Sequence, residues 1–131
     1  MLTYSNGTRH SQNEGLIAYA GSNAKLNIYA GTRPANANTV ITTQTLLVSL
    51  PIPGAFGTDV NGTLTLGSVV PANASNTGTA SFFRIFKSDG TTVVMDGSVG
   101  TTGADLNLNT TSITALQQVS ITAGTIIREN Q

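Results

Sequence analysis

Between Ala80 and Gly97 the chain reads ASFFRIFKSDGTTVVMDG, and there the apolar side chains fall on both faces of an alternating pattern. Phe82, Arg84 and Phe86 share one face of an extended strand, while Phe83 and Ile85 share the other with Ser81 and Lys87. Three of the four phenylalanines lie in this stretch, so the core is expected to gather around it. Asp89-Gly90 supplies the positive φ angles of a tight turn, which predicts a hairpin of strands Ser81 to Lys87 and Thr92 to Asp96. A two-residue turn sets Ile85 opposite Val94, Arg84 opposite Met95 and Phe83 opposite Asp96. Asp96 then faces away from Arg84, and no ion pair within the hairpin is expected. A strand covered on both faces belongs inside a sandwich or under a neighbouring chain.

The rest of the pattern predicts short strands and many turns. Lys25 to Ala30 alternates with Leu26 and Ile28 on one side, Thr43 to Leu50 is a Thr/Leu/Val-rich strand stopped by Pro51 and Pro53, and Thr63 to Leu66 alternates again. A weaker strand is expected around Val69 and Val70, and Asp105 to Asn109 places Leu106 and Leu108 on one face. Ile113 and Leu116 offer a further short contact. Val119 to Arg128 reads as a strand, or a bent pair around Gly124, with Ile121, Ile126 and Ile127 in the core. Gly31 to Asn38, Gly54 to Gly62 and Pro71 to Gly78 read as loops, the second holding Phe56 and an Asn61-Gly62 turn. Ser11-Gln12-Asn13-Glu14 has capping-box spacing and predicts a helix over Gly15 to Ala20 stopped at Gly21, with a strand from Leu16 to Ala20 as the alternative. The first ten residues show no period and read as an arm. The expected organisation is an N-terminal arm, 1–15, and a β-sandwich domain, 16–131. The fold class is all-β, an antiparallel β-sandwich or jelly-roll-like barrel with room for one short N-terminal helix.

Charge narrows the picture. Only 9% of the 131 residues are charged, six basic and six acidic, against roughly 25% in ordinary soluble domains. A balanced chain lacks the basic footprint of nucleic-acid binding. So little charge also gives weak protection against self-association, which points to a surface meant to be covered. There is no cysteine for a disulfide framework or thiolate metal site, consistent with assembly in a reducing cytosol. No apolar run approaches the ~20 residues of a membrane span. The opening MLTYSNGTRHSQNEG has no basic start followed by an apolar stretch, so a cleaved secretion signal is not expected.

Candidate chemistry is sparse. Asp105-x-Asn107-x-Asn109 starts like a calcium loop, but Thr110 stands where glycine is needed and Leu116 where a bidentate glutamate should close the site. His10 has no second ligand nearby in sequence, and a solvated imidazole is expected. The acids Glu14, Asp59, Asp89, Asp96, Asp105 and Glu129 are scattered at turns, where capping accounts for them. Nothing matches a nucleophile elbow. Neither enzyme activity nor a cofactor or metal is therefore expected. Asn6, Asn61, Asn73 and Asn109 head Asn-x-Ser/Thr triplets, as chance supplies in a chain this rich in Asn and Thr. For a carbohydrate, only Tyr4, Tyr19 and Tyr29 offer tyrosine rings, and there is no tryptophan. Arg84, flanked by two phenylalanines, either lays its stem on the rings and sends its head to a neighbouring strand or subunit, or is solvated.

From Lys25 onward, in KLNIYAGTRPANANT and TASFFRIFKSDGTTVVMDGSVGTTGADLNLNTTSI, the chain resembles small β-rich structural proteins of tailed bacteriophages and prophages. The Ile-Tyr-x-Gly-x-Arg-Pro-Ala run at Ile28 to Ala35 and the run from Phe83 to Gly100 carry the resemblance. It implies a virion structural protein, foremost a capsid decoration or cement protein that bridges subunits of the major capsid protein on the capsid exterior, after assembly in the host cytoplasm. It also implies a homo-oligomer, with a trimer expected from capsid symmetry, and neither nucleic acid nor membrane as partner. The alternatives are a head–tail or tail component and a virion-surface glycan-binding module. Expected contact residues are Tyr4 and Arg9 in the arm, Arg33 and Pro34 in the first loop, Phe56 in the second, and Arg84.

Overall fold

The computed structural model describes residues 2–123 and 125–127. In chain order these form α1 (Asn6–Ala20), β1 (Ala24–Ala30), β2 (Thr45–Ile52), β3 (Gly57–Val60), β4 (Thr63–Leu66), β5 (Ala72–Asn73), β6 (Gly78–Thr79), β7 (Phe82–Phe86) and β8 (Val93–Gly100). The chain continues through β9 (Leu106–Leu108), β10 (Ser112–Ile113), β11 (Gln118–Val119), β12 (Ile121–Ala123) and β13 (Thr125–Ile127). The expected bend at Gly124 and the end of the last strand at Arg128 lie outside the described residues, as do Glu129 and the side chains of Ile126 and Ile127.

The fold is β-rich with one helix, and it departs from a purely antiparallel, all-β plan in two ways. The six-stranded sheet, ordered β12-β9-β8-β7-β1-β2, is mixed, because β8 and β9 run parallel. The helix is fifteen residues long and not a single short turn. A three-stranded sheet, β13-β4-β3, and two small ladders, β10-β6 and β11-β5, complete the body.

The segment read as an arm is helical from Asn6, and the helix is capped six residues before the expected cap. Ser5, not Ser11, is its N-cap, its Oγ accepting the Thr8 N–H at 3.1 Å. Gly21 closes it at φ 70° with its N–H on the Ile17 carbonyl. Two internal glycines and a polar first half make this a poor helix by propensity. Packing supplies what propensity lacks: Leu16, Ile17 and Ala20 join the core, and Asn13 is buried against β3.

β1 is an interior strand, hydrogen-bonded to β2 on one side and β7 on the other. Its alternation puts Leu26 and Ile28 inward, both fully buried. β2 runs through Pro51 to Ile52, beyond the predicted stop, because it is an edge strand, where a missing N–H is tolerated. Residues 70–76 cover part of that edge: Val70 N–H donates to the Pro51 carbonyl at 3.0 Å and Ser75 N–H to the Leu47 carbonyl at 2.8 Å. One core cluster then joins Leu26, Leu50, Phe56, Leu64, Phe83 and Leu106 across both sheets.

Candidate functional site

The hairpin of β7 and β8 forms with Phe86 opposite Val93 as predicted, but its turn is wider than the expected two residues, and of Asp89 and Gly90 only Gly90 takes a positive φ. Lys87 N–H donates to the Thr92 carbonyl at 2.9 Å, and Gly90 takes φ 75° with its N–H on the Lys87 carbonyl. Asp89 locks the turn from outside, accepting the Thr91 and Thr92 N–H groups at 2.8 Å and the Thr92 hydroxyl at 2.5 Å. The hydrogen bonds from Thr92 and Thr91 lower its pKa to about 2.

Past the turn the predicted register fails, for a local reason. Phe86 pairs with Val93 but Ile85 pairs with Met95, so Val94 is an extra residue, a bulge, in β8. The slip sets Arg84 opposite Asp96 and corrects the expectation that these two lie on opposite faces. Their contact is bidentate: Nε donates to Oδ1 at 2.6 Å and Nη2 to Oδ2 at 2.8 Å. Arg84 is only 2% exposed. The hydrogen bonds it donates to Asp96 raise its pKa, outweighing burial, which acts the other way.

The same guanidinium also holds a loop against the sheet. Nη1 donates to the Thr39 carbonyl at 2.7 Å and Nη2 to the Asn36 carbonyl at 3.5 Å. The loop is braced internally as well. Asn36 Oδ1 accepts the Asn38 N–H at 2.9 Å, its carbonyl accepts the Thr39 N–H at 3.1 Å, and Gln44 Nε2 donates to the Thr32 carbonyl at 2.7 Å.

Between this loop, the hairpin turn and the end of α1 lies a cleft of about 480 Å³. Tyr19 enters from the helix, Tyr29, Arg84 and Phe86 from the sheet, residues 37–41 from the loop and residues 91–93 from the turn. Tyr29 is stacked on Phe82, centroids 5.2 Å apart, and is nearly buried. Tyr19 is 51% exposed, and Lys87 Nζ stands 4.1 Å from its ring centroid.

A second constellation joins α1 to the β3–β4 turn. The Asp59 carboxylate is shielded from solvent and accepts from His10 Nδ1 at 2.6 Å, from Asn13 Nδ2, and from the Gly62 N–H at 3.2 Å. Burial opposes its charge, but the hydrogen bonds from Asn13, His10 and Gly62, together with the electrostatic attraction of His10, win and hold its pKa below the ordinary carboxylate range. His10, expected to be merely solvated, is half-exposed and anchored. Sequence offers no signal for a contact that spans 49 positions.

The six expected contact residues do not converge on one patch. Tyr4 and Arg33 are exposed, while Arg9 and Pro34 are half-buried on α1 and the first loop. Phe56 lies wholly in the core, and Arg84 is consumed by Asp96 and the loop carbonyls, so neither presents a surface to a partner. Asp105 serves its own turn, accepting the Ser98 N–H at 2.9 Å, and Asn107 Oδ1 accepts the Ala104 N–H at 3.2 Å. Among the described residues no group of three or more His, Cys, Asp or Glu side chains is placed to hold a metal ion, and no helix is long and apolar enough to cross a membrane. No family model matches the chain, and no curated protein or solved structure matches it.

Proposed function

We propose that this chain is a bacteriophage virion structural protein, a decoration or cement protein seated on the capsid exterior across joints between major capsid subunits. The observation that carries the reading is where the scarce charge goes. Of six acidic side chains, Asp59, Asp89, Asp96 and Asp105 are all engaged in hydrogen bonds within the chain. The outer surface is left sparsely charged, with Asp89 and Asp105 exposed but tied into their own turns, is rich in Ser, Thr and Asn, and carries exposed apolar side chains such as Val40 at 74% and Leu116 at 82%. Such a surface gains by being covered and loses little charge hydration when it is. A sandwich-like body with locked loops brings little ordering cost to each joint, and a symmetric lattice repeats that small gain many times. The sequence resemblance to tailed-phage structural proteins supports the same setting.

The test compares particles with and without the protein. Particles lacking it should break at lower temperature and under milder osmotic shock, and adding the purified protein back should restore resistance. Equal resistance with and without it contradicts a cementing role.

A further inference from the structure

We propose that the cleft framed by Tyr19, the 37–41 loop and the 91–93 turn binds a neutral oligosaccharide, an activity independent of where in a virion the protein sits. Its volume, about 480 Å³, is that of a small-ligand site. Each wall is fixed before any ligand arrives. Arg84 ties down the loop, Asp89 locks the turn, and the hydrogen bond from Gly21 N–H closes the helix just beyond Tyr19. Preorganised walls lower the entropic cost of binding.

The lining specifies the ligand class. Tyr19 and Phe86 are only partly covered, and they flank polar groups that are uncharged: Asn38, Thr39 and Thr91. A pyranose ring has an apolar C–H face that lies on an aromatic ring and a rim of hydroxyls that both donate and accept. The Asn38 side-chain amide, a paired donor and acceptor, has no hydrogen-bond partner among the described residues and suits such a rim. Arg84 is the one charged residue in the lining, and its guanidinium is already engaged by Asp96, Thr39 and Asn36. An anionic ligand therefore meets no uncommitted cation among the lining residues, the nearby Lys87 ammonium standing outside the lining over the Tyr19 ring, whereas a neutral one needs none.

The experiment presents the full-length protein to an array of neutral and acidic oligosaccharides and then titrates hits by calorimetry, with Tyr19→Ala and Asn38→Ala alongside. Both positions are exposed, so unchanged melting temperatures will show that the variants fold. The expected result is binding to neutral sugars, weakened about tenfold or more by each substitution, a loss of ~1.4 kcal/mol or more. Free oligomers and long polysaccharides are tested as separate arms. Binding in either supports the proposal, and the pair distinguishes a soluble from a surface-anchored source. Absence of neutral-sugar binding, restriction to acidic sugars, or binding indifferent to both substitutions overturns it.

Discussion

The ring of Phe83 lies directly against the α-carbon of Gly97, its register partner across β7 and β8. A β-carbon at position 97 falls inside the van der Waals envelope of Phe83 Cε1 and Cζ. Glycine is required here by space and not by a positive φ. Gly97→Ala should destabilise the protein by about 1–3 kcal/mol, the usual cost of overpacking. Chemical denaturation measures it, and Phe83→Leu in the same chain should return part of the loss, since the two changes share one space.

Breaking the buried pair should be costlier. Arg84→Met leaves Asp96 charged and unpartnered at 8% side-chain exposure, for which ~3–5 kcal/mol is typical. Arg84→Lys should not rescue it, because an ammonium cannot match both carboxylate oxygens while also holding the Thr39 and Asn36 carbonyls. Hydrogen exchange provides the specific readout. Amides of residues 36–41 should lose protection in either variant, beyond the change expected from global stability alone.

Acid should destabilise the fold through Asp59 and Asp89. Both pKa values are lower in the folded chain than the ordinary 3.8, Asp89 at about 2. As pH falls below the unfolded value, the unfolded chain takes up protons first. The stabilisation, complete above about pH 4, is therefore lost as pH drops toward 2. Melting temperature should decline through that window, and an Asp59→Asn, Asp89→Asn double variant should show a shallower decline.

Helix docking has its own test. Asp59→Ala removes the acceptor shared by His10 and Asn13 and leaves the buried Asn13 amide without it. Residues 6–14 should exchange faster and become susceptible to protease, while β1 and β7 stay protected. Unchanged exchange in the helix would mean that Leu16, Ile17 and Ala20 suffice to dock it.

Strands were legible wherever alternation was strict. Lys25 to Ala30 and Thr63 to Leu66 appear where the pattern puts them, because each buries one face. The turn at Asp89-Gly90 was legible from its chemistry. What followed was not, since one extra residue at Val94 leaves no mark on composition yet reverses which side of the sheet Asp96 faces. The helix was half legible: its apolar end announced itself, while its polar start is held by Ser5 and by Asp59 from a distant strand. The cleft was hidden for the same reason, as Tyr19, Phe86 and the 37–41 loop meet only through the tertiary fold.

If the protein acts as proposed, by repeated contact with capsid neighbours, its copy number in purified particles will show it. Quantified against the major capsid protein, the chain should be present at a fixed ratio on the scale of the lattice itself, with one oligomer for each set of symmetry-related joints. Absence from particles, or a handful of copies confined to one vertex or the tail, would contradict it.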